Sequence, residues 1–364
     1  GRLGKQEYTM QEVAHKRFSL DDSTTQVLSY IHTFEEGDSL MLASYNSPMH
    51  NICIFDVKSG REVRKVNFQK EGPNALGNGV FGFLYHNPDS IFIYYSWGWE
   101  IALFDDKGVK KDKISLRTLP MEGQTSFVWP EILPCTNLPI KKWNDYLILQ
   151  GQGKSLPDPN PQGLRSCVTA LFNLAHNDIR LANPYPDIYG GEGAIWQPFA
   201  YRVTPYDLSP KGEMALSFQA DDSIRVYDLR TGKSKAYFAG YSKPYKIRPA
   251  RSGSQGDVKR SIATQIQYAG IYYDKWNKLY YRLLSLPIAD YNVNEETFPE
   301  RNLAIVLLDE TFQKVGEYNL TEKSDRYGFV FTSPEGLHIN ILSPDDDYME
   351  FLTVKPQKNE APVS

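Results

Sequence analysis

The stretch EVAHKRFSLD, Glu12 to Asp21, lies close to the start of the chain yet reads as the end of a sheet. It alternates apolar with basic or polar residues and stops at a polar turn, the pattern of an outer β-strand with one face on a core. Little precedes it that it could pair with. Its partners must therefore come from far along the chain, and finding them decides the fold.

They are found by reading for repeats. A polar turn followed by an apolar run recurs six times: GDSLMLASY from Gly37, PDSIFIYYS from Pro88, NDYLILQG from Asn144, KGEMALSF from Lys211, NKLYYRLL from Asn277 and EGLHINIL from Glu335. Each is followed by an apolar strand that usually closes on Asp or Asn: NICIFD, EIALFD, CVTALFN, SIRVYD and LAIVLLD, with YMEFLTV from Tyr348 lacking the acidic end. A tight turn and a more polar strand come next, as in VKSG before REVRKVNF and LRTG before KSKAYFAG. Glycine in such turns takes positive φ without steric cost. Less regular runs such as GVFGFLY from Gly79 supply a first strand.

Four antiparallel strands per unit describe a β-propeller blade. The expected fold is all-β: a single domain over residues 1–364, a six-bladed β-propeller of four-stranded antiparallel sheets, with seven blades as the alternative because the insertion after Leu116 is long. The sixth unit ends at YMEFLTV with no polar fourth strand. Residues 12–20 are expected to supply it, with His15–Leu20 as the outer strand closing the last blade, while 355–364 reads as a frayed tail. Closure would leave no bare edge there to aggregate.

Composition agrees with a globular β-rich chain. Of 364 residues, 41% are hydrophobic and 13% aromatic, with 24 Tyr, 26 Gly and 23 Pro. Net charge is −4 and no basic stripe runs along the chain, so nucleic acid is not an expected partner. No apolar run reaches the roughly 18 residues of a membrane-spanning helix. The chain opens Gly-Arg-Leu, without Met, which suggests a removed leading segment. Cys53, Cys135 and Cys167 match no zinc spacing and read as free thiols.

In a blade of this kind, the first-to-second and third-to-fourth connections share one face of the disc, and here they are short. The opposite face gathers long segments, among them 117–142, 151–166, 183–201, 239–260 and 286–301. Long loops gathered on one face around a central channel mark a binding surface. The candidate ligand-binding residues there are Trp97, Trp99, Trp129, Glu131, Trp196, Arg202 and Arg248, because flat aromatic faces with interspersed charge suit a sugar or peptide.

Catalytic motifs are not found. LQGQGKSLP lacks the first glycine of a phosphate loop, where Ile148 stands, and Pro157 and Pro159 block the helix such a loop needs. RSGSQG is not a nucleophile elbow. His15, His32, His50, His86, His176 and His338 have no metal-ligand spacing, and no carboxylate pair is placed for acid–base work. The expectation is a non-catalytic binding or scaffold protein, without cofactor or metal and monomeric, whose partner is a glycan, a peptide or an envelope protein. An enzyme acting on a glycan or peptide at the channel mouth is the alternative.

IFDVKSGREVRKV and VYDLRTGKSKAYF resemble the general propeller blade with its D-x-x-[ST]-G turn. QKEGPNALGNGVFGF is similar to the Gly-Pro-rich blade connection of six-bladed, TolB-like propellers in Bacteroidetes lipoproteins of unknown function. It departs from their commoner G-P-G-E-F form at Gly72-Pro73-Asn74. The resemblance implies a lipid-anchored protein of the cell envelope, on the periplasmic or outer-membrane side, and implies no activity.

Overall fold

The protein is described by a computed structural model. It covers all residues except 1–5, 78, 96–98, 122–126, 154–164, 191–193, 197–199, 244, 246, 295–299, 325–326 and 360–364. The fold is all-β and propeller-like, with one described α-helix. Strand β1 spans Tyr8–Ser19. The first sheet is the antiparallel meander β2 (Ile31–Glu36), β3 (Ser39–Asn46), β4 (Asn51–Asp56) and β5 (Glu62–Asn67). The second repeats it with β6 (Val80–Asn87), β7 (Ser90–Tyr95), β8 (Glu100–Phe104) and β9 (Lys110–Ser115).

In the third sheet, the short strands β10 (Phe127–Val128) and β11 (Glu131–Ile132) add to a meander. That meander is β12 (Lys141–Trp143), β13 (Tyr146–Gln152), β14 (Arg165–Asn173) and β15 (Asp178–Pro184). The fourth sheet is β16 (Tyr206–Leu208), β17 (Glu213–Leu216), β18 (Ser223–Asp228) and β19 (Lys233–Phe238). After helix α1 (Gln255–Ala263) come β20 (Gln267–Asp274), β21 (Leu279–Ser285), β22 (Arg301–Asp309), β23 (Lys314–Ser324), β24 (Val330–Ser333), β25 (Gly336–Ile341) and β26 (Tyr348–Lys358).

The six separate blades read from the repeats are not what the chain builds, nor are seven. Four blades stand as discrete four-stranded meanders, and the remaining strands form one continuous eight-stranded sheet, ordered β20-β21-β22-β23-β1-β26-β25-β24. Strand β1 makes that joint. It pairs antiparallel with β26 from Tyr8↔Lys358 to Ser19↔Tyr348, and on its other side it meets β23 in parallel at Tyr8↔Gly316. It is therefore an interior strand at its N-terminal end, not an outer one. Gly316 permits this, because a Cβ there would collide with the Tyr8 carbonyl oxygen. The Glu7 amide donates to Val315 at 2.7 Å beside it. Strand β26 runs on through Lys358, so residues 355–358 are paired strand.

The Asp or Asn that closes each third strand has a local task. Its carboxylate or amide oxygen accepts amides of the following turn: Ser59 onto Asp56 at 2.7 Å, Arg230 onto Asp228 at 2.8 Å, Thr311 onto Asp309 at 2.8 Å and Ala175 onto Asn173 at 3.0 Å. These side chains act as Asx-turns, which set the hairpin before the fourth strand. The polar fourth strands β5, β9 and β19 lie at sheet edges. In β19 every residue is exposed or half-exposed, and lysines there discourage pairing with another chain. Inner strands such as β25 are buried throughout, the signature of a strand covered on both faces.

Between sheets the contacts are aromatic and aliphatic. Phe18 of β1 is fully buried, with edge-to-face neighbours Phe55 at 5.8 Å, Phe351 at 5.7 Å and Phe331 at 6.2 Å. Burying such a ring contributes about 1.5–3 kcal/mol. First strands face the axis: β24 neighbours β2, β2 neighbours β6, and β16 neighbours β20, which neighbours β24. Among the described residues no helix is long and apolar enough to cross a membrane.

Candidate functional site

Two cavities lie along the axis enclosed by the first strands. One, of about 290 Å³, opens toward the short turns and is lined by residues of β2, β16, β20 and β24, among them His32, Asp207 and Tyr273. Several of its charged groups are paired. Lys141 is ion-paired with Asp207, whose other carboxylate oxygen accepts the Tyr273 amide at 2.8 Å. Burial, aided by Lys141, pulls the His32 imidazole down to about 4, so it is neutral at pH 7. Lys275 pairs with Glu35 at the rim and lies 4.9 Å from the Trp276 ring centroid. Two charge pairs, Lys141 with Asp207 and Lys275 with Glu35, lie at this end.

The second cavity, of about 480 Å³, lies at the long-loop end. Two bulged strands shape it. The register of β6 against β7 shifts between Val80 and Gly82, and that of β20 against β21 shifts between Gln267 and Gly270. A bulge re-aims a side chain out of the ladder, and here Phe81 and Ala269 line the opening. Gly82 is required where it stands, since a Cβ would come within 2.7 Å of Pro134 and 2.8 Å of the Tyr30 ring.

The lining combines apolar side chains, Phe81, Leu133, Pro134, Val203 and Tyr327, with the amides of Asn137, Gln219 and Gln267. The Gln267 oxygen accepts Arg301 Nη1 at 3.0 Å and Ser285 Oγ at 3.4 Å, which fixes the amide orientation and leaves its NH₂ to the cavity. Gln219 is buried, and among the described residues its side chain has no hydrogen-bond partner. Asn137 Nδ2 donates to the Ala269 carbonyl at 3.0 Å, and Cys135 Sγ donates to Asn137 Oδ1 at 2.9 Å. Burial raises the Cys135 thiol to about 11, so it is not a nucleophile near neutral pH. Among the described residues, no carboxylate, ammonium, guanidinium or imidazole lines this cavity.

Two buried arginines support the amides. Arg301 spans Leu286, Ile262 and Gln265 carbonyls as well as Gln267. Arg282 binds the Phe218, Asp221, Asp222 and Ser223 carbonyls, which flank Gln219 on its loop.

The residues selected from sequence lie elsewhere. Trp97 falls outside the described residues. Trp99 and Trp129 meet edge to face at 5.4 Å and pack on a cluster with Leu84, Phe92 and Tyr94, while Arg117 lies 5.6 Å from the Trp99 ring centroid. Glu131 accepts Gln152 Nε2 at 2.7 Å. Trp196 is only 5% exposed, held between Tyr189 and Tyr201, and its Nε1 donates to the Tyr189 carbonyl at 3.2 Å. Arg202 donates to the Gly153 carbonyl. Arg248 lines a separate concavity beside α1. None of these described residues lines the long-loop cavity. Phe81, Gln219, Gln267 and Tyr327 were not singled out, although the glycines inside VFGFLY and QYAGIYY are signals of bulges.

No match is found among curated proteins. A putative exported protein from Bacteroides fragilis is similar in structure, with TM-score 0.54 at 10% identity, covering 97% of this chain and 96% of that one. A member of the DUF4221 family from Bacteroides vulgatus is more similar, with TM-score 0.80 at 19% identity, covering 98% of this chain and 100% of that one. At such identities the likeness shows the fold. A sequence profile described as a domain of unknown function, DUF4221, matches residues 7–319, and the chain therefore belongs to the DUF4221 family.

Proposed function

We propose that this chain is a non-catalytic binding protein of the cell envelope, which receives a neutral saccharide unit in the cavity at the long-loop end of its axis. The observation that carries this reading is the lining itself: among the described residues it combines two aromatic side chains, Phe81 and Tyr327, with the Gln219 and Gln267 amides and holds no charged group. A sugar ring offers an apolar face for stacking and hydroxyls that both donate and accept, which matches that pairing. The chemistry of the lining favours binding over the enzyme alternative, since amides and a thiol held near 11 supply no acid or base at neutral pH.

A thermal-shift screen of neutral oligosaccharides tests this. A stabilising sugar should lose about tenfold in affinity in Gln219→Ala and in Phe81→Ala. Stabilisation by short peptides alone would refute the saccharide, and stabilisation that survives both substitutions would move the site.

Envelope placement draws support from the similarity to an exported protein. A lipid anchor is the finer part of that reading, and fatty-acid labelling of the full-length protein in its own cells checks it. Unlabelled protein in the cytosol would contradict both.

A further inference from the structure

A second site lies apart from the axis, beside α1. Residues 243–260, KPYKIRPARSGSQGDVKR, carry six basic residues and one acidic one, in a chain whose net charge is −4. Charge of one sign is thus concentrated in a single segment of an otherwise acidic protein. In the fold, Arg248, Arg251 and Arg260 line a concavity of about 600 Å³ together with Asp257, Ser261 and Thr264.

The wall is built rather than incidental. Gln265 holds the backbone of Arg248 from both sides: its Oε1 accepts the Arg248 amide at 2.7 Å, and its Nε2 donates to the Arg248 carbonyl at 3.0 Å. The same Nε2 reaches Ser261 Oγ at 2.9 Å, which ties the loop to the helix. Ser254 caps α1 by accepting the Asp257 amide. The Asp257 carboxylate already accepts the Ser252 hydroxyl. Among the described residues, the guanidiniums of Arg248, Arg251 and Arg260 form no ion pair and donate no hydrogen bond.

Three guanidiniums around one hollow repel one another unless an anion joins them. With the one carboxylate, the described lining carries a net charge of +2, which matches a doubly charged oxyanion better than a monocarboxylate. Guanidinium forks bind phosphate oxygens in bidentate fashion, and a phosphate monoester carries about −1.5 to −2 at pH 7. We propose that the hollow formed by Arg248, Arg251 and Arg260 binds a phosphate monoester. The ester is either a soluble one or a lipid headgroup, which share this chemistry. The site is independent of the axial cavity and stands or falls without it.

Calorimetric titration with glycerol phosphate tests the soluble arm, and sedimentation with phosphatidylcholine vesicles with and without phosphatidic acid tests the headgroup arm. Saturable binding in either arm is expected, weakened about tenfold or more in each of Arg248→Gln, Arg251→Gln and Arg260→Gln. These side chains are exposed, so the variants should melt like the parent. Asp257→Asn should tighten binding by removing the one opposing charge. Binding in one arm only identifies the source. No binding in either arm overturns the proposal, as does equal affinity in the three variants, or full displacement by chloride at matched ionic strength.

Discussion

The Arg282 guanidinium lies 3.6 Å from the centroid of the Tyr268 ring, fully buried, and donates to five backbone carbonyls and the Ser217 hydroxyl. It stitches β21 to the loop between β17 and β18 and to the chain after β19. Truncation would strand those carbonyls away from water and open a cavity. Arg282→Ala is expected to destabilise the fold by about 3 kcal/mol or more, read from urea unfolding. Arg282→Lys should recover only part of this, since an ammonium has three donors and no planar fork. A loss below about 1 kcal/mol for the alanine variant would contradict this role.

Gly60 tests how the N-terminal strand is seated. It has φ +69°, and a Cβ there would collide with the Arg17 carbonyl oxygen of β1, while its own carbonyl accepts the Ser19 amide at 2.9 Å. Gly37 has a similar φ of +58° with nothing within 4 Å of an added Cβ. Both alanine variants bear the strain of positive φ, about 1 kcal/mol. Only Gly60→Ala should lose clearly more than that. Equal melting temperatures for the two variants would show that the contact with β1 is slack.

Much of this frame could be read from the residues alone. The turn-strand-turn repeat and the Asp that closes third strands appear in the chain as side chains capping the next hairpin, because that task is local. The joint at Gly316 could not be read, since it depends on Tyr8 meeting a residue some three hundred positions away. For the site, the aromatic rule selected Trp196, which serves packing. The informative residues were Gly82 and Gly270, whose place inside apolar runs marks the bulges, and Arg282, a charge inside LYYRLLS. A buried charge in a strand signals a network, but its acceptors are backbone atoms, which no side-chain pattern reveals.

Acid sensitivity follows from two neutral imidazoles. His338 sits between Ser333 Oγ at 2.7 Å and Thr353 Oγ1 at 3.0 Å, and burial lowers it to about 3; His32 is lowered to about 4. Both folded values lie below the unfolded value near 6.5. The unfolded chain therefore binds protons first, and stability is full above pH 6.5 and falls as pH drops from there toward 4 and 3. Each group adds a slope of about 1.4 kcal/mol per pH unit. Urea unfolding at pH 7, 6 and 5 should show this slope, reduced by about half in His338→Gln. A flat profile over that range would contradict neutral burial of these groups.

The ligand is proposed to occupy the cavity at the long-loop end, whose described lining carries no charge. Because among the described residues no carboxylate, ammonium, guanidinium or imidazole lines that cavity, its affinity should depend on neither protons nor salt. The direct measurement is calorimetric titration of a stabilising neutral oligosaccharide at pH 5.5, 7 and 8, and at low and high ionic strength. The dissociation constant is expected to stay within about twofold throughout. A change of tenfold or more with pH or salt would place the ligand instead among charged groups, such as His32, Lys141 and Asp207 at the other end of the axis.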